Sequence, residues 1–254
     1  MQILNAASGS SGNATILESG GNRLLIDCGI SVKSLVKKLD DKNIPPESLD
    51  AILVTHEHSD HISRVFTAAR RYKIPVHMNF STYSSSKVEI GDVNIRFFKS
   101  GIPFEVGKMR IKPFSVPHDS ADPVAFRIDT DEGVVTVATD IGVPAPSVLK
   151  ELHGSRAMVL EFNHDRNMLT KGPYPRFLKK RIAGPRGHLS NEEAMDLLWE
   201  TDTSELELLV LGHLSRKNNL PKLAREKAQE VLTDRCCDAE ISIADQYLPR
   251  FHEL

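Results

Sequence analysis

Cysteine is scarce in this sequence, which contains only three among its 254 residues. Cys236 and Cys237 are neighbours and Cys28 stands alone, so their spacing contains no disulfide framework. A chain of this length can bury a full core without disulfide bonds. We therefore expect a protein of a reducing compartment, the cytoplasm.

A long apolar run and a strong net charge are also missing. No stretch approaches the roughly 18 apolar residues that a membrane-spanning helix needs, and Met1 leads straight into strand-like sequence without a signal-peptide pattern. The formal net charge is −2, which excludes a polybasic coat. We expect no membrane association, and any affinity for nucleic acid must come from a local basic patch.

The apolar pattern predicts an α/β protein with strands and helices in two mixed halves. The predicted strands are residues 2–5, 14–18, 23–27, 51–55, 74–78, 157–161, 205–211 and 241–244, with an almost wholly β region between residues 87 and 139. The predicted helices are residues 32–39, 62–72, 190–200 and 221–232, the third with a capping box of Ser190 and Glu193. No repeat or linker interrupts the chain. This order predicts two mixed sheets packed together and flanked by helices, a four-layer αβ/βα sandwich in one domain of residues 1–254.

Three histidines and an aspartate lie close together between the buried strand at residues 51–55 and the following helix. His56 and His58 are two residues apart in extended chain, so they project to the same side. Asp60 and His61 follow at the turn into the helix, where they can point to a second position. Imidazole and carboxylate ligands suit zinc, manganese or iron. A polar loop formed by chance is the alternative, which the position at the end of a buried strand disfavours.

The pattern His56-x-His58-x-Asp60-His61 resembles the signature of the metallo-β-lactamase superfamily. The superfamily's other motifs follow in the expected order, so the resemblance covers the whole chain. It implies a first metal site of His56, His58 and His118, a second site of Asp60, His61 and His213, and Asp140 as a bridge between them. Asp27 matches the early aspartate that supports the metal loop. His118, Asp140 and His213 each follow a β-like run, although each alone would be an ordinary loop residue.

Two metal ions would suit hydrolysis. A divalent metal lowers the pKa of bound water to about 7, and two ions together stabilise both the attacking and the leaving oxygen of a displaced phosphate. We therefore expect two divalent transition-metal ions, with Asp60 also in a catalytic role.

Several features narrow the substrate. Asp140 stands where zinc β-lactamases have a cysteine, and His58 stands where flavin-coupled di-iron members have glutamate. The segment between Asp140 and His213 is too short for the cap domain of RNA-processing members, and the segment after His118 is too short for the exosite arm of RNase Z. The remaining resemblance is to the compact YycJ/WalJ group of nuclease-like proteins, which implies a 5′-to-3′ exonuclease acting on DNA.

Four further motifs support this resemblance. They begin at Ser8, Glu161, Gly187 and Gly212. Phe162 departs from the pattern, because a small residue is expected there, and a phenylalanine could narrow the pocket. The motifs give these phosphate- or substrate-binding residues: Ser8, Ser10, Ser11, Gly12, Asn13, Asn163, Ser215, Asn218 and Asn219.

The glycine- and serine-rich loop at residues 8–13 has a composition that lets consecutive backbone N–H groups surround an anion. It therefore predicts a nest for a terminal phosphate, with an ordinary flexible loop as the alternative.

Two histidines outside the ligand set are candidates for catalysis. His188 precedes a capped helix, and the amino end of a helix favours bound phosphate. We expect His188 to protonate the leaving oxygen, as a matching histidine does in related nucleases. His164 either contacts the scissile phosphate or bonds to a neighbouring loop, and the sequence leaves both possibilities open.

A basic segment, residues 171–186, contains no acidic residue, and Arg216 and Lys217 directly follow His213. Basic side chains of this kind neutralise nucleic-acid phosphates without reading sequence, although a solvated helix face would have the same composition. A nuclease acting at DNA ends is therefore the leading hypothesis. A thioester or lactone hydrolase of the same fold and a non-enzymatic metal-binding adaptor are the alternatives. The sequence indicates no oligomeric state.

Overall fold

Two seven-stranded sheets contain every strand of the protein in a computed structural model that describes residues 1–254. The first sheet comprises β1 (Gln2–Ala7), β2 (Ala14–Ser19), β3 (Asn22–Ile26), β4 (Ala51–Leu53), β5 (Val76–Asn79), β6 (Ile95–Phe98) and β14 (Arg250–Glu253). The second sheet comprises β7 (Phe104–Val106), β8 (Met109–Ser115), β9 (Val124–Thr130), β10 (Gly133–Ala138), β11 (Ala157–Glu161), β12 (Leu208–Gly212) and β13 (Glu240–Ile243).

The two sheets share one plan, in which an antiparallel half joins a parallel half. The first sheet has the order β14-β1-β2-β3-β4-β5-β6 and becomes parallel from β3 onward. The second has the order β13-β12-β11-β10-β9-β8-β7 and is parallel from β10 to β13. The predicted pair of mixed sheets is confirmed.

Nine helices cover the outer faces. They are α1 (Val32–Asp40), α2 (Ser59–Ile62), α3 (Val65–Tyr72), α4 (Phe80–Ser85), α5 (Pro146–Leu152), α6 (Arg166–Lys171), α7 (Arg176–Ile182), α8 (Asn191–Glu200) and α9 (Pro221–Asp234), with a 3₁₀ turn at Pro46–Ser48. The predicted capping box at the start of α8 is present, since Ser190 and Glu193 each bond to the other's backbone N–H. None of these helices has the length and apolar composition that crossing a membrane requires.

Three apolar clusters produce the four-layer sandwich. One cluster lies between the sheets and joins Leu24 of β3 to Phe126 of β9 and Val159 of β11. A second packs α1 and α3 on the first sheet, and a third packs α5, α8 and α9 on the second. Parallel strands such as β4, β11 and β12 are buried at every position because both of their faces are covered.

The structure corrects several element boundaries. The helix predicted over residues 62–72 is two helices, α2 and α3, because the chain turns at Arg64, whose N–H bonds to the carbonyl of Cys28. Strand β14 was not predicted, and it pairs with β1, far from it in sequence. Helices α4 to α7 were also not predicted. All four have seven residues or fewer, which leaves little periodicity to detect.

All three cysteines are free thiols, and they differ in exposure. Cys28 is fully buried beside Asp27, and burial raises the pKa of its thiol to about 12. Only the thiolate form is reactive. Cys236 is exposed, whereas the sulfur of Cys237 lies 3.6 Å from the carbonyl oxygen of Thr203.

We expect Cys28 to react with iodoacetamide at pH 8 at least about 10³-fold more slowly than Cys236, because a pKa raised by about three units removes most of the thiolate. Mass spectrometry of labelled peptides would measure both rates, and labelling in guanidinium should abolish the difference. Cys236→Ser is the control that removes the fast reaction. Fast labelling of Cys28 in the native protein would show that the loop after β3 opens in solution.

Candidate metal centre and active site

Histidines and carboxylates from both sheets meet where the parallel strands end. β3 leads into Asp27, β10 is followed closely by Asp140, and β12 leads into His213. These three residues have positive φ angles of 60°, 60° and 54°. Non-glycine residues rarely adopt this conformation. It persists where the surrounding structure enforces it, and such positions cluster at functional sites. Asp140 and His213 line a cleft of about 380 Å³, and Asp27 lies behind it.

The first group of predicted ligands is assembled as expected. His56, His58 and His118 have ring centroids 4.7 to 5.1 Å apart. His118 Nδ1 donates to the Gly187 carbonyl at 2.9 Å, which leaves Nε2 as the ligand atom, 3.3 Å from His58 Nδ1. His56 Nε2 is buried without any hydrogen-bond partner. Burial lowers the pKa of His56 well below its usual value, so its nitrogen keeps the lone pair that a metal needs.

The second group is Asp60, His61 and His213. Asp60 Oδ2 lies 3.5 Å from both His61 Nε2 and His213 Nε2. Asp140 lies between the two groups, with one carboxylate oxygen 3.7 Å from His118 Nε2 and the other 3.2 Å from His61 Nε2. This is the position that the sequence predicts for a bridging carboxylate.

The charge in the cleft also suits a cation. Burial opposes ionisation of Asp140, yet His213 and His61 hold its pKa well below the usual range. Burial likewise opposes protonation of His213, but Asp140, Asp60 and Glu161 raise its pKa to about 10. The buried carboxylates are therefore compensated by protonated histidines, a role that divalent metal ions bound to these side chains would take over. Both ligand type and charge fit transition metals.

Two buried carboxylates orient the ligand imidazoles from behind. Asp27 Oδ2 accepts from His61 Nδ1 at 2.7 Å, and its other oxygen accepts from the Thr55 N–H at 2.9 Å. Glu161 accepts from His213 Nδ1 at 3.1 Å. A carboxylate behind a histidine fixes which ring nitrogen faces the metal. The predicted supporting role of Asp27 agrees with this geometry.

Glu161 is a site residue to which the sequence analysis assigned no role, although one of the four motifs begins there. Its carboxylate is fully buried and also receives His188 Nδ1 at 2.8 Å and the Ile141 N–H at 2.8 Å. The sequence did contain a signal for a role of Glu161 in the site, because it is a charged residue at the end of an otherwise apolar, buried strand. Asp27 has a similar position directly after β3.

His188 lies in the cleft beside the ligands. Its ring centroid is 5.1 Å from those of His118 and His213, and its side chain is 20% exposed. Nδ1 is bound to Glu161, so Nε2 is left to face a substrate. His188, Glu161, Asp140 and His213 also lie close enough to hold a cation together. His188 is thus placed for acid catalysis, with metal ligation as the alternative.

His164 lies outside the cleft lining. Its side chain is buried, Nδ1 has no hydrogen-bond partner, and burial lowers its pKa to about 4. A buried imidazole outside the cleft lining is not placed to contact a phosphate in the cleft. Of the two possibilities open from the sequence, the structure disfavours phosphate contact.

The structure also corrects the predicted anion nest at residues 8–13. The N–H of Gly9 bonds to Asn13 Oδ1, that of Ser11 to Gln246 Oε1, and that of Gly12 to the Gly9 carbonyl. Only the N–H of Ser10 lacks a partner within the chain, and only Ser10 lines the cleft. The loop therefore cannot enclose an anion with consecutive N–H groups.

The loop instead supports the second metal group. Ser8 Oγ accepts from the His213 N–H at 2.8 Å, and Asn13 Nδ2 lies 3.0 Å from His61 Nε2. Gly12 has a φ of 142°, and a Cβ there would lie 2.7 Å from the backbone of Gly29. Glycine is needed for this close packing, not for phosphate binding.

The other predicted substrate-binding residues are structural. Asn163 Nδ2 donates to the His213 carbonyl at 2.8 Å, and Asn219 Nδ2 donates to the Phe162 carbonyl at 2.8 Å. Ser215 Oγ accepts from the N–H of Asn218, which is fully buried. These side chains join the loops after β11 and β12 and do not line the cleft. Phe162 is in the apolar core of the second sheet and therefore does not narrow the cleft.

A basic side chain reaches the cleft from α7. Arg181 Nε lies 2.5 Å from Asp119 Oδ2, and Asp119 Oδ1 lies 3.5 Å from His118 Nε2. Arg181 is thereby held next to the first metal group, with its two terminal nitrogens free for an anion. The basic segment predicted from the sequence thus borders the site.

Comparisons with known proteins agree with this geometry. A family model described as the beta-lactamase superfamily domain matches residues 22–214. The exodeoxyribonuclease WalJ of Streptococcus pneumoniae serotype 2 is 36% identical over 86% of this chain and 83% of its own. The exodeoxyribonuclease YycJ of Bacillus anthracis is 34% identical over 90% of this chain and 88% of its own. Zinc-bound PqqB from Methylobacterium extorquens has the same fold, with a TM-score of 0.74 and 13% identity over 100% of both chains.

Because Glu161 holds two histidines of the site, replacing it should weaken metal binding. Glu161→Gln keeps the size of the side chain but removes the charge behind His213, so affinity for one metal ion should fall about 10- to 100-fold. Competition with a chromophoric chelator would measure this, with the native protein as the reference. Glu151→Gln is the matched control, because Glu151 is also buried but pairs with Lys112 outside the cleft. Native affinity for both ions in Glu161→Gln would contradict the role.

Proposed function

This chain belongs to the metallo-β-lactamase superfamily, in its WalJ/YycJ group of metal-dependent nucleic-acid hydrolases, and we propose that it is an exodeoxyribonuclease with two divalent metal ions. The observation that carries the proposal is the position of Asp140 between two groups of metal ligands, with His188 beside them. Zinc, manganese and iron all suit these ligands. The three free thiols suit a cytoplasmic location.

The ligands fall into two sets that suit two ions better than one. His56, His58 and His118 converge on one side of Asp140, and Asp60, His61 and His213 converge on the other. Seven side chains exceed the four ligands of a single tetrahedral site. When bound, the ions would supply Lewis-acid activation of the phosphodiester and of water.

The protein's own groups would carry out the remaining steps. Arg181 provides positive charge at the rim, where it can hold a substrate phosphate through its terminal nitrogens. Glu161 fixes the ring of His188 so that Nε2 points into the cleft. From there His188 can donate a proton to the leaving oxygen.

A thioester or lactone hydrolase would use the same metal ligands, but it leaves the basic segment beside the cleft without a role. The named relatives likewise favour nucleic acid. A metal-binding adaptor would need neither the Glu161–His188 pair nor Arg181 at the cleft. Both alternatives are therefore weaker than the nuclease.

We expect His188→Ala to lower kcat on DNA by about 10²- to 10⁴-fold, because the leaving oxygen loses its proton donor. Hydrolysis of bis-p-nitrophenyl phosphate should change far less, since nitrophenolate leaves without protonation. Metal content should stay native, and His153→Ala, a histidine outside the cleft, is the control. Loss of a metal ion would show that His188 is a ligand, and equal losses on both substrates would exclude the proton-donor role.

We further expect cleavage to begin at DNA ends. This expectation rests on the compact cleft, because no inserted domain is present to clamp an internal segment of DNA. Because partners within the protein occupy most N–H groups of the loop at residues 8–13, this loop gives no reason to expect a preference for 5′ ends. The direction of degradation therefore needs a direct test. With Mn²⁺, linear duplexes labelled at either end would be compared with covalently closed circles and an acyl thioester. Equal cutting of circles and linear DNA would indicate an endonuclease, and thioester cleavage alone would favour the alternative enzyme.

A further inference from the structure

Helix α7 is exposed to an unusual degree. None of its residues is buried, and Phe177 at its start is 74% exposed. An exposed phenylalanine on a short basic helix is not explained by packing. A groove of about 790 Å³ lies beside it, lined by Leu169 and Thr170 of α6 and by residues of α7.

One face of α7 lies toward the metal cleft, and another lies toward the groove beside the helix, which we call the outer groove. Leu178, Arg181 and Ile182 face the metal cleft. Arg176 and Lys180, four residues apart and so on one side of the helix, line the outer groove together with Phe177. A chain that leaves the cleft can therefore pass directly onto the outer groove, because the two share one helix.

The charge of the outer groove suits a polyanion. Arg176, Lys179 and Lys180 line it, and no acidic residue does. Lys179 Nζ donates to the Thr170 carbonyl at 2.7 Å, which joins α7 to α6. Arg176 and Lys180 are exposed and form no ion pair or side-chain hydrogen bond within the protein. They remain available to phosphates.

We propose that the outer face of α7 binds single-stranded nucleic acid next to the cleft, with one base stacked on Phe177 and neighbouring phosphates on Arg176 and Lys180. The inference rests on the proposed nuclease function. An exposed aromatic ring stacks on any unpaired base without reading its identity. In a duplex the base faces are already stacked on one another, so double-stranded DNA would bind only through the basic side chains.

The single tryptophan of the chain allows a site-specific reporter. Trp199→Phe removes the native signal, and Phe177→Trp in that background places an indole on the outer face of α7. In the presence of a chelator, titration with a single-stranded oligodeoxynucleotide should quench this fluorescence. A blunt duplex of equal length should quench it much less.

Affinity measurements separate stacking from charge. Phe177→Ala should weaken binding of a fluorescent oligodeoxynucleotide about tenfold, within the range of roughly 5- to 160-fold for loss of one stacked base. Phe80→Ala, which removes a comparably exposed ring on α4, is the matched control. Replacing Arg176 and Lys180 by alanine should reduce the slope of log affinity against log salt by about 0.7 for each lost phosphate contact. Lys222→Ala, which removes an exposed lysine of α9, should leave the slope unchanged.

The outcomes separate this site from the proposed function. If the native protein degrades DNA but the indole is not quenched and Phe177→Ala binds normally, the α7 site is wrong and the nuclease stands. If the indole is quenched but no nucleic acid is cleaved, the site stands and the nuclease proposal fails. A concentration-dependent dimer that Phe177→Ala abolishes would show instead that this face covers a second copy of the chain, which overturns the inference.

Discussion

Buried negative charge at the meeting edge of the two sheets is the constraint on which this structure depends. Asp27, Asp140 and Glu161 are all buried there, and Asp60 lies close by. Carboxylates in such a place need compensating positive charge, because burial disfavours their ionised form. The histidines can supply it only by holding protons, as the raised pKa of His213 shows. Divalent metals would supply it while leaving the imidazoles neutral, so folding of the cleft and metal binding favour the same arrangement.

The two halves of the sandwich each pair a buried carboxylate with a histidine in the same way. In the first sheet Asp27 follows β3 and holds His61, and in the second sheet Glu161 ends β11 and holds His213. Each pair joins a carboxylate from one strand end to a histidine from a neighbouring loop. The parallel halves of the sheets make this possible, since their strands end at one edge. Positive φ at Asp27 and His213 turns the chain sharply there, a local cost that the hydrogen bonds offset.

The parts of the site that the sequence predicts are those encoded locally or by a family motif. His56, His58, Asp60 and His61 lie in one short loop, so their spacing alone indicates a metal site. Glu161 was missed because its contacts with His188 and His213 depend on which strands are neighbours in the second sheet. The anion nest was wrong for the same reason. The partners that occupy its N–H groups include Gln246, more than two hundred residues away in sequence, which loop composition cannot reveal.

The metal ligands and the outer face of α7 depend on different physical supports. The ligands lie in loops and turns that follow strands packed in the cores of the sandwich, where a change in volume or charge disturbs the packing. Helix α7 buries none of its residues, so its side chains can change with little effect on folding. It is linked to the site by the ion pair of Arg181 with Asp119 beside His118, and by the hydrogen bond from the His188 N–H to the Ile182 carbonyl. If α7 holds nucleic acid as proposed, substitutions on it would alter which polymer is bound, and in what state, while the metal ligands stay the same.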